Sequence, residues 1–248
     1  MGGRVERDVD HPHTTLARRD LLRSKSFLRR VYGDWYRRVV QALPSGDGRV
    51  LELGSGGGFL GEWIPSLLSS EIVAWQGVSL VADAHVLPFP ASGLRAIVMT
   101  NVFHHLPNAR GFLREAGRSV RGGGAIVMVE PWVTAWSRLV YRHLHEEPFE
   151  PDAAEWEFPS TGPVSGANNA LPWMMFARDR ARFEREFPEW ALERIEPFMP
   201  ITYLLSGGMS YPSLMPGFTF GLWRAAEAAA APVMGAVAMF ALIVLRRK

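Results

Sequence analysis

An α/β fold built on a mostly parallel sheet is predicted by three features of the chain. Apolar runs of strand length recur at Val50–Leu53, Leu94–Asn101 and Ala125–Pro131. The first leads directly into Gly54-Ser55-Gly56-Gly57-Gly58, and helical patterning lies between the later two. Strands covered on both faces read as continuous apolar runs, which is the mark of a parallel sheet. A strand, a glycine turn and a helix start together suit a nucleotide-like ligand. The missing Cβ atoms let backbone approach it, and the free N–H groups point at it.

The chain has 248 residues, 48% hydrophobic and 21% charged, which fits one α/β domain with an insertion. Cysteine is absent, so disulfides, thiolate chemistry and cysteine zinc sites are excluded. A net charge of +2 is too small to argue for nucleic acid. The charge is uneven: eight basic residues lie between Leu16 and Leu43 against Asp20 and Asp34.

Residues 1–13 are polar, with disorder expected and no secretory-signal core. From Leu16 to Leu43 the apolar positions Leu21, Leu28, Val31, Tyr32, Trp35 and Val39 fall at helical spacing. The remaining face is rich in arginine and offers either a solvated surface or a contact with anionic lipid. After the turn Pro44–Gly48 comes the first strand, and Phe59 to Leu68 is expected to be the crossover helix. Leu67 to Ile72 is a short second strand, Ser79 to Ala84 a third, Leu94 to Asn101 the fourth and Ala125 to Pro131 the fifth. Asn108 is placed to cap a helix running to about Val120.

The glycine turn reads E-x-G-x-G-x-G from Glu52 to Gly58, and position 59, where a dinucleotide fingerprint needs its third glycine, is Phe59. Together with Asp83-Ala84, the Leu87-Pro88-Phe89 element and Asn101-Val102-Phe103-His104-His105-Leu106, it resembles the class I S-adenosylmethionine (SAM)-dependent methyltransferases of the small-molecule, methyltransferase type 11-like kind. The resemblance spans residues 49–131. It implies a Rossmann-like seven-stranded sheet with helices on both faces and an inserted cap after strand 5, completed by a final antiparallel hairpin.

The cofactor would then be SAM and the product S-adenosylhomocysteine. Glu52 would lie near the methionine amino group. Gly54, Ser55, Gly56 and Gly58 would run along the sugar and amino-acid part, with Asn101 and Val102 at the neighbouring strand end. Glu71 stands 17 residues past Gly54 and offers two acceptor oxygens to the two ribose hydroxyls. Trp75, Gln76 and Ser79 occupy alternative positions for that acid, and none is acidic. Asp83 would accept from the adenine amine, and the backbone of Ala84 would reach a ring nitrogen.

From Trp132 to about Pro200 the chain leaves the pattern. This stretch holds five tryptophans (Trp132, Trp136, Trp156, Trp173, Trp190). They either line a substrate pocket over the strand ends or form a small core of their own. Val133–Leu144 and Arg178–Phe187 read as helices there. Leu192 to Leu205 carries a strand-like stretch ending in Tyr203, Phe218–Met234 is a helix, and Val237–Leu245 is the last strand. Ala225 to Leu245, although mostly apolar, is interrupted by Glu227 and Pro232 and is read as soluble core, not a tail anchor.

Transfer of a methyl group from a sulfonium mainly needs alignment and exclusion of water, with a base only where the acceptor must lose a proton. The acid/base candidates are His104, His105 and Glu130. Trp132, Tyr203 and His143 are the substrate-contact candidates, with Glu146 also available from the cover. No metal site is expected, because His104 and His105 are adjacent and should point different ways, and His143 and His145 lie two apart at a helix end.

The division expected is a basic helical segment at 1–43, a SAM-binding core at 44–131, a substrate cap at 132–200 and the last part of the core at 201–248. The function expected is methyl transfer to a small or lipid-like acceptor by a cytoplasmic enzyme with peripheral membrane contact and no nucleic-acid partner. The competing readings are a degenerate SAM-binding module that recruits a partner, and an NAD-binding oxidoreductase.

Overall fold

The computed structural model describes residues 12–145, 147–160, 162 and 166–248. Its strands are β1 (Arg49–Leu53), β2 (Leu67–Glu71), β3 (Leu80–Val81), β4 (Leu94–Thr100), β5 (Val120–Pro131), β6 (Trp190–Phe198) and β7 (Phe240–Arg247). They form one seven-stranded sheet in the order β3-β2-β1-β4-β5-β7-β6. Neighbours among the first five are parallel, and β7 runs antiparallel to both β5 and β6. This is the mostly parallel Rossmann-like sheet that the sequence predicts. The strand order reverses between β1 and β4, and the carboxyl ends at such a switch point are where these sheets hold ligands.

The two faces of the sheet follow from strand alternation. Leu51, Leu53, Ile97, Met99, Ile126 and Met128 point to one face and pack against Phe112, Leu113 and Ala116 of a helix, Ala109–Ser119. Val50, Val98, Val127, Leu242 and Val244 point to the other, beneath the helices Ser26–Ala42 and Ala135–Leu144. In chain order the helices are α1 (Pro12–Ser24), α2 (Ser26–Ala42), α3 (Ala109–Ser119) and α4 (Ala135–Leu144). The Asn108 side chain caps α3 by accepting the Gly111 N–H at 2.9 Å, as its residue type led one to expect. Phe240 to Leu245 of β7 is buried throughout, so the end of the chain is a core strand.

Several elements differ from the sequence reading. In place of a helix over Phe59–Leu68 there is only a single 3₁₀ turn, Leu60–Glu62. Pro65 cannot continue a helix, and Leu67 and Leu68 are taken by β2. The sixth strand lies at Trp190–Phe198, and Thr202–Leu205 is a helical turn. Met199, at a φ of 57°, and Pro200 end the strand before Tyr203 is reached. The N-terminal helix breaks at Lys25 into α1 and α2. Of the disordered tail expected over residues 1–13, residues 1–11 lie outside the described residues, and the last two belong to α1.

The stretch after β5 contributes to the core. Trp156, Leu171, Met174, Phe176, Phe183 and Phe187 are buried in the α3-side core together with Phe103 and Phe112. Arg110 and Arg182 lie over the Trp156 ring, 4.4 and 4.8 Å from its centroid. Among the described residues no helix is long and apolar enough to cross a membrane.

Candidate active site

β1 and β2 deliver their carboxyl ends side by side, and the glycine turn bends between them. Gly54 and Gly56 have φ values of 62° and 52°, a region that side chains with a Cβ rarely adopt. At Gly54 there is also no room, since a Cβ would lie 2.5 Å from Cγ2 of Val102. Ser55 is pinned to β2 by its N–H and its hydroxyl, both donating to the Ser70 carbonyl at 2.9 and 3.0 Å. Gly56 donates its N–H to the Glu71 carboxylate. Glu52, Gly54, Ser55, Gly56 and Glu71 are therefore brought together, and Gly58 closes the turn with its N–H on the Ser55 carbonyl at 2.9 Å.

Glu52 is buried, and its carboxyl is pushed up to about 8 by burial and then by the nearby Glu71, against a hydrogen bond from Ser55. Burial also raises Glu71, opposed by the N–H groups of Gly56 and Ile72 and by the charge of Arg18. Two carboxyl groups beside one glycine turn favour a cation there.

β3 sets the next two candidates on the same edge. The Ala82 N–H donates to the Glu71 carbonyl at 2.9 Å, so Asp83 and Ala84 follow directly across from Glu71. Asp83 is half exposed. Burial works to raise its carboxyl, but the His85 N–H and imidazole, each at 2.8 Å, hold it below its ordinary value.

At the end of β4, Asn101 has a φ of 55° and lies beside Tyr32 of α2, whose hydroxyl burial pushes up to about 12 against the influence of Arg18 and Asn101. Val102 and Phe103 donate their N–H groups to one oxygen of Glu130, each at 2.8 Å. The other Glu130 oxygen lies 2.6 Å from Nδ1 of His104. Glu130 is fully buried with donors on both oxygens, an arrangement that holds the β4 end in place and leaves little for proton transfer.

His104 and His105 turn the same way, contrary to the sequence reading. Their rings lie 4.2 Å apart between centroids, because the 3₁₀ turn Phe103–His105 folds the backbone over. Their Nε2 atoms reach Glu147, at 3.5 Å from His104 and 3.7 Å from His105. Burial lowers His104, but the Glu130 and Glu147 carboxylates outweigh it and bring it up to about 9. Burial and then the charge of His104 bring His105 down to about 4. Glu147 is held well below the usual carboxylate range, since the histidines around it overcome the effect of burial.

The substrate-contact candidates separate. Trp132 is buried, with its backbone N–H on the Met239 carbonyl at 2.8 Å. Tyr203 stacks on Trp35, with centroids 5.6 Å apart, on the α2 side. His143 is exposed on α4, whose buried residues are Ser137, Val140 and Tyr141, and is not gathered with the others. Glu146 lies outside the described residues.

Four residues at the site escaped the sequence reading. The Tyr36 hydroxyl stands 2.5 Å from where a Cβ on Gly58 would lie and accepts the Phe59 N–H at 3.3 Å. Arg19 of α1 crosses the turn so closely that a Cβ on Gly57 would lie 2.3 Å from its Cα. Arg18 acts electrostatically on Tyr32, Glu71 and Tyr203. Glu147 joins the histidine pair from over forty residues away. Only Tyr36 had a local signal, as a polar-tipped aromatic on the apolar face of α2.

Residues 51–128 match the family model described as a methyltransferase domain. No curated protein matches the chain. Among solved structures, the fold is similar to geranyl diphosphate C-methyltransferase from Streptomyces coelicolor A3(2), solved with Mg²⁺, geranyl diphosphate and S-adenosyl-L-homocysteine. That match has a TM-score of 0.52 and 12% identity over 89% of this chain and 81% of that one. It is also similar to a chain in the complex between the Haloferax volcanii Trm112 methyltransferase activator and its candidate methyltransferase, with a TM-score of 0.53 and 13% identity over 92% and 96% of the two chains. Residues 51–128 are a methyltransferase domain, and the fold that carries them is that of the SAM-dependent class I methyltransferases.

Proposed function

We propose that this protein transfers a methyl group from SAM to a small or lipid-like acceptor at the carboxyl ends of β1, β4 and β5. The observation that carries this reading is the gathering of Glu52, the Gly54–Gly58 turn and Glu71 at one sheet edge, with Asp83 adjoining.

The residues fit the cofactor. Glu52 is a buried carboxyl group with no cationic partner among the groups that shift it, and an ammonium group would supply one and favour its ionised form. The space beside Gly56 is open, with Glu71 the nearest atom to a Cβ built there, at 3.8 Å. Glu71 would hold the ribose hydroxyls and Asp83 the adenine amine. When bound, SAM supplies an electrophilic methyl group on a sulfonium. The chain supplies position: the left-handed glycines keep the turn bare, and Glu130 fixes the β4 end through Val102 and Phe103. α1 lies over the turn at Gly57 and covers it from solvent on that side.

The acceptor class is supported by the surface beside α1. A cleft of about 720 Å³ runs between Leu21, Lys25 and the segment Met209–Pro216. Tyr211 and Leu214 on its wall, and Phe218 and Leu222, are exposed, Phe218 by 84%. Exposed apolar side chains beside the basic helix suit an amphiphilic acceptor or the membrane that carries it. The experiment is methyl transfer from labelled SAM to fractions of a lipid and small-molecule extract, with flotation on anionic vesicles in parallel. Label confined to protein or nucleic acid would sink the reading.

A further inference from the structure

His104, His105 and Glu147 have the donor arrangement of a metal-ligand set. Each imidazole places Nδ1 against an oxygen that accepts: the Glu130 carboxylate at 2.6 Å for His104, the Gly166 carbonyl at 3.0 Å for His105. In the neutral ring the proton is therefore on Nδ1, and Nε2 carries the free lone pair. Both Nε2 atoms face Glu147, at 3.5 Å to Oε2 and 3.7 Å to Oε1, and the three ligand atoms lie within 4.8 Å of one another.

Those separations sit at or beyond the limit of a hydrogen bond. The 3.5 Å separation matches the edge of a coordination tetrahedron, since bonds of about 2.0–2.2 Å put ligand atoms roughly 3.3–3.6 Å apart, and the 3.7 Å one, to the other carboxylate oxygen, is close to it. The surroundings are also those of a metal site. Histidine ligands ordinarily donate their second N–H to a carboxylate or carbonyl, and that outer partner is itself held. Here Glu130 is held by two backbone N–H groups, and Asn169 donates to Oε2 of Glu147 at 3.2 Å.

We propose that Nε2 of His104, Nε2 of His105 and one oxygen of Glu147 bind a divalent first-row cation of the zinc class, with a further coordination position open. Two imidazoles and one carboxylate suit zinc or iron(II) better than magnesium. The open position takes water or, resting on the methyltransferase reading, an oxygen of the acceptor. An oxygen held there loses its proton more readily and becomes a better nucleophile.

The test uses the full chain, stripped with a chelator and titrated with Co²⁺ as a spectroscopic probe, followed by displacement with Zn²⁺. One cobalt per chain, with a visible absorption band that zinc removes, is expected. His105→Ala and Glu147→Gln should each weaken binding at least tenfold while keeping the wild-type circular dichroism. Glu147 is 38% exposed, so its substitution leaves the core intact. Asn169→Ala should weaken it by about tenfold through the outer shell. Gly56→Val should bind cobalt as the wild type does, so failure of SAM binding and failure of the metal site are read separately. No bound cobalt, or equal affinity in His105→Ala and Glu147→Gln, would overturn the proposal.

Discussion

Gly56 gives its backbone N–H to the carboxylate of Glu71, fifteen residues later and one strand away. This single bond ties the glycine turn to the acid meant for the ribose. Gly56→Val would fill the open space above the turn and force a side chain into a left-handed conformation that costs about 1–2 kcal/mol. The expected result is a folded protein, with its melting temperature lowered by several degrees, that has lost SAM binding in calorimetry.

Gly54 makes a sharper prediction, because its missing Cβ and Val102 occupy the same space. Gly54→Ala should destabilise by about 2–4 kcal/mol, combining left-handed strain with overpacking. Val102→Ala in the same chain should restore part of that loss. Urea denaturation of both single variants and the double variant gives the coupling.

Glu52 predicts a proton count. Its carboxyl stands at about 8 in the free protein against an ordinary 4.5, from burial first and Glu71 second. The folded chain thus holds a proton there between those values that the unfolded chain does not, so this group's contribution to stability falls as pH rises through that window. An ammonium group in contact needs the carboxylate. SAM binding at pH 7 should therefore release a proton, and affinity should rise with pH up to about 8. Calorimetry in buffers of different ionisation enthalpy measures this, and no release at pH 7 would count against the assigned contact.

Glu130 should prove structural in stability and positional in activity. Removing it strands two N–H groups and an imidazole that it holds at 2.6–2.8 Å. Glu130→Ala should cost about 3–5 kcal/mol, as the loss of a buried charged partner does. Glu130→Gln should recover much of the stability. An unchanged denaturation midpoint in the alanine variant would contradict this.

The path of α1 predicts a protease signature. Gly57→Ala places a Cβ against the backbone of Arg19, so α1 must lift. Its arginines should then be cut faster by trypsin than in the wild type, with the rest of the chain equally resistant. Equal cleavage rates at Arg18, Arg19 and Arg23 would show that α1 is not seated on the turn.

The sheet was legible because buried parallel strands announce themselves as apolar runs, and Asn108 because a cap is a local device. Legibility failed where neighbours decide. Leu67 and Leu68 fit a helix or a strand equally well, and Pro65 with the pairing to Val50 and Leu51 settled it. Tyr203-Leu204-Leu205 looked like strand, but Trp190–Phe198 had already paired along β7. The tryptophans after β5 gave no sign of whether they faced a ligand or a core, and Trp156 and Trp190 went to the core. The nearness of Glu147 to His104 and His105 is purely tertiary. Spacing alone argued against it, because a 3₁₀ turn brought adjacent imidazoles to one side.

The most direct measurement is calorimetric titration of the wild type, Gly56→Val and Asp83→Ala with S-adenosylhomocysteine, with NAD(H) run alongside. The account predicts one site per chain in the wild type, none in Gly56→Val, a loss of about 1–3 kcal/mol in Asp83→Ala from the unpaired adenine amine, and no heat with NAD(H). A folded wild type that binds no S-adenosylhomocysteine, or a Gly56→Val variant that binds it undiminished, would contradict the account.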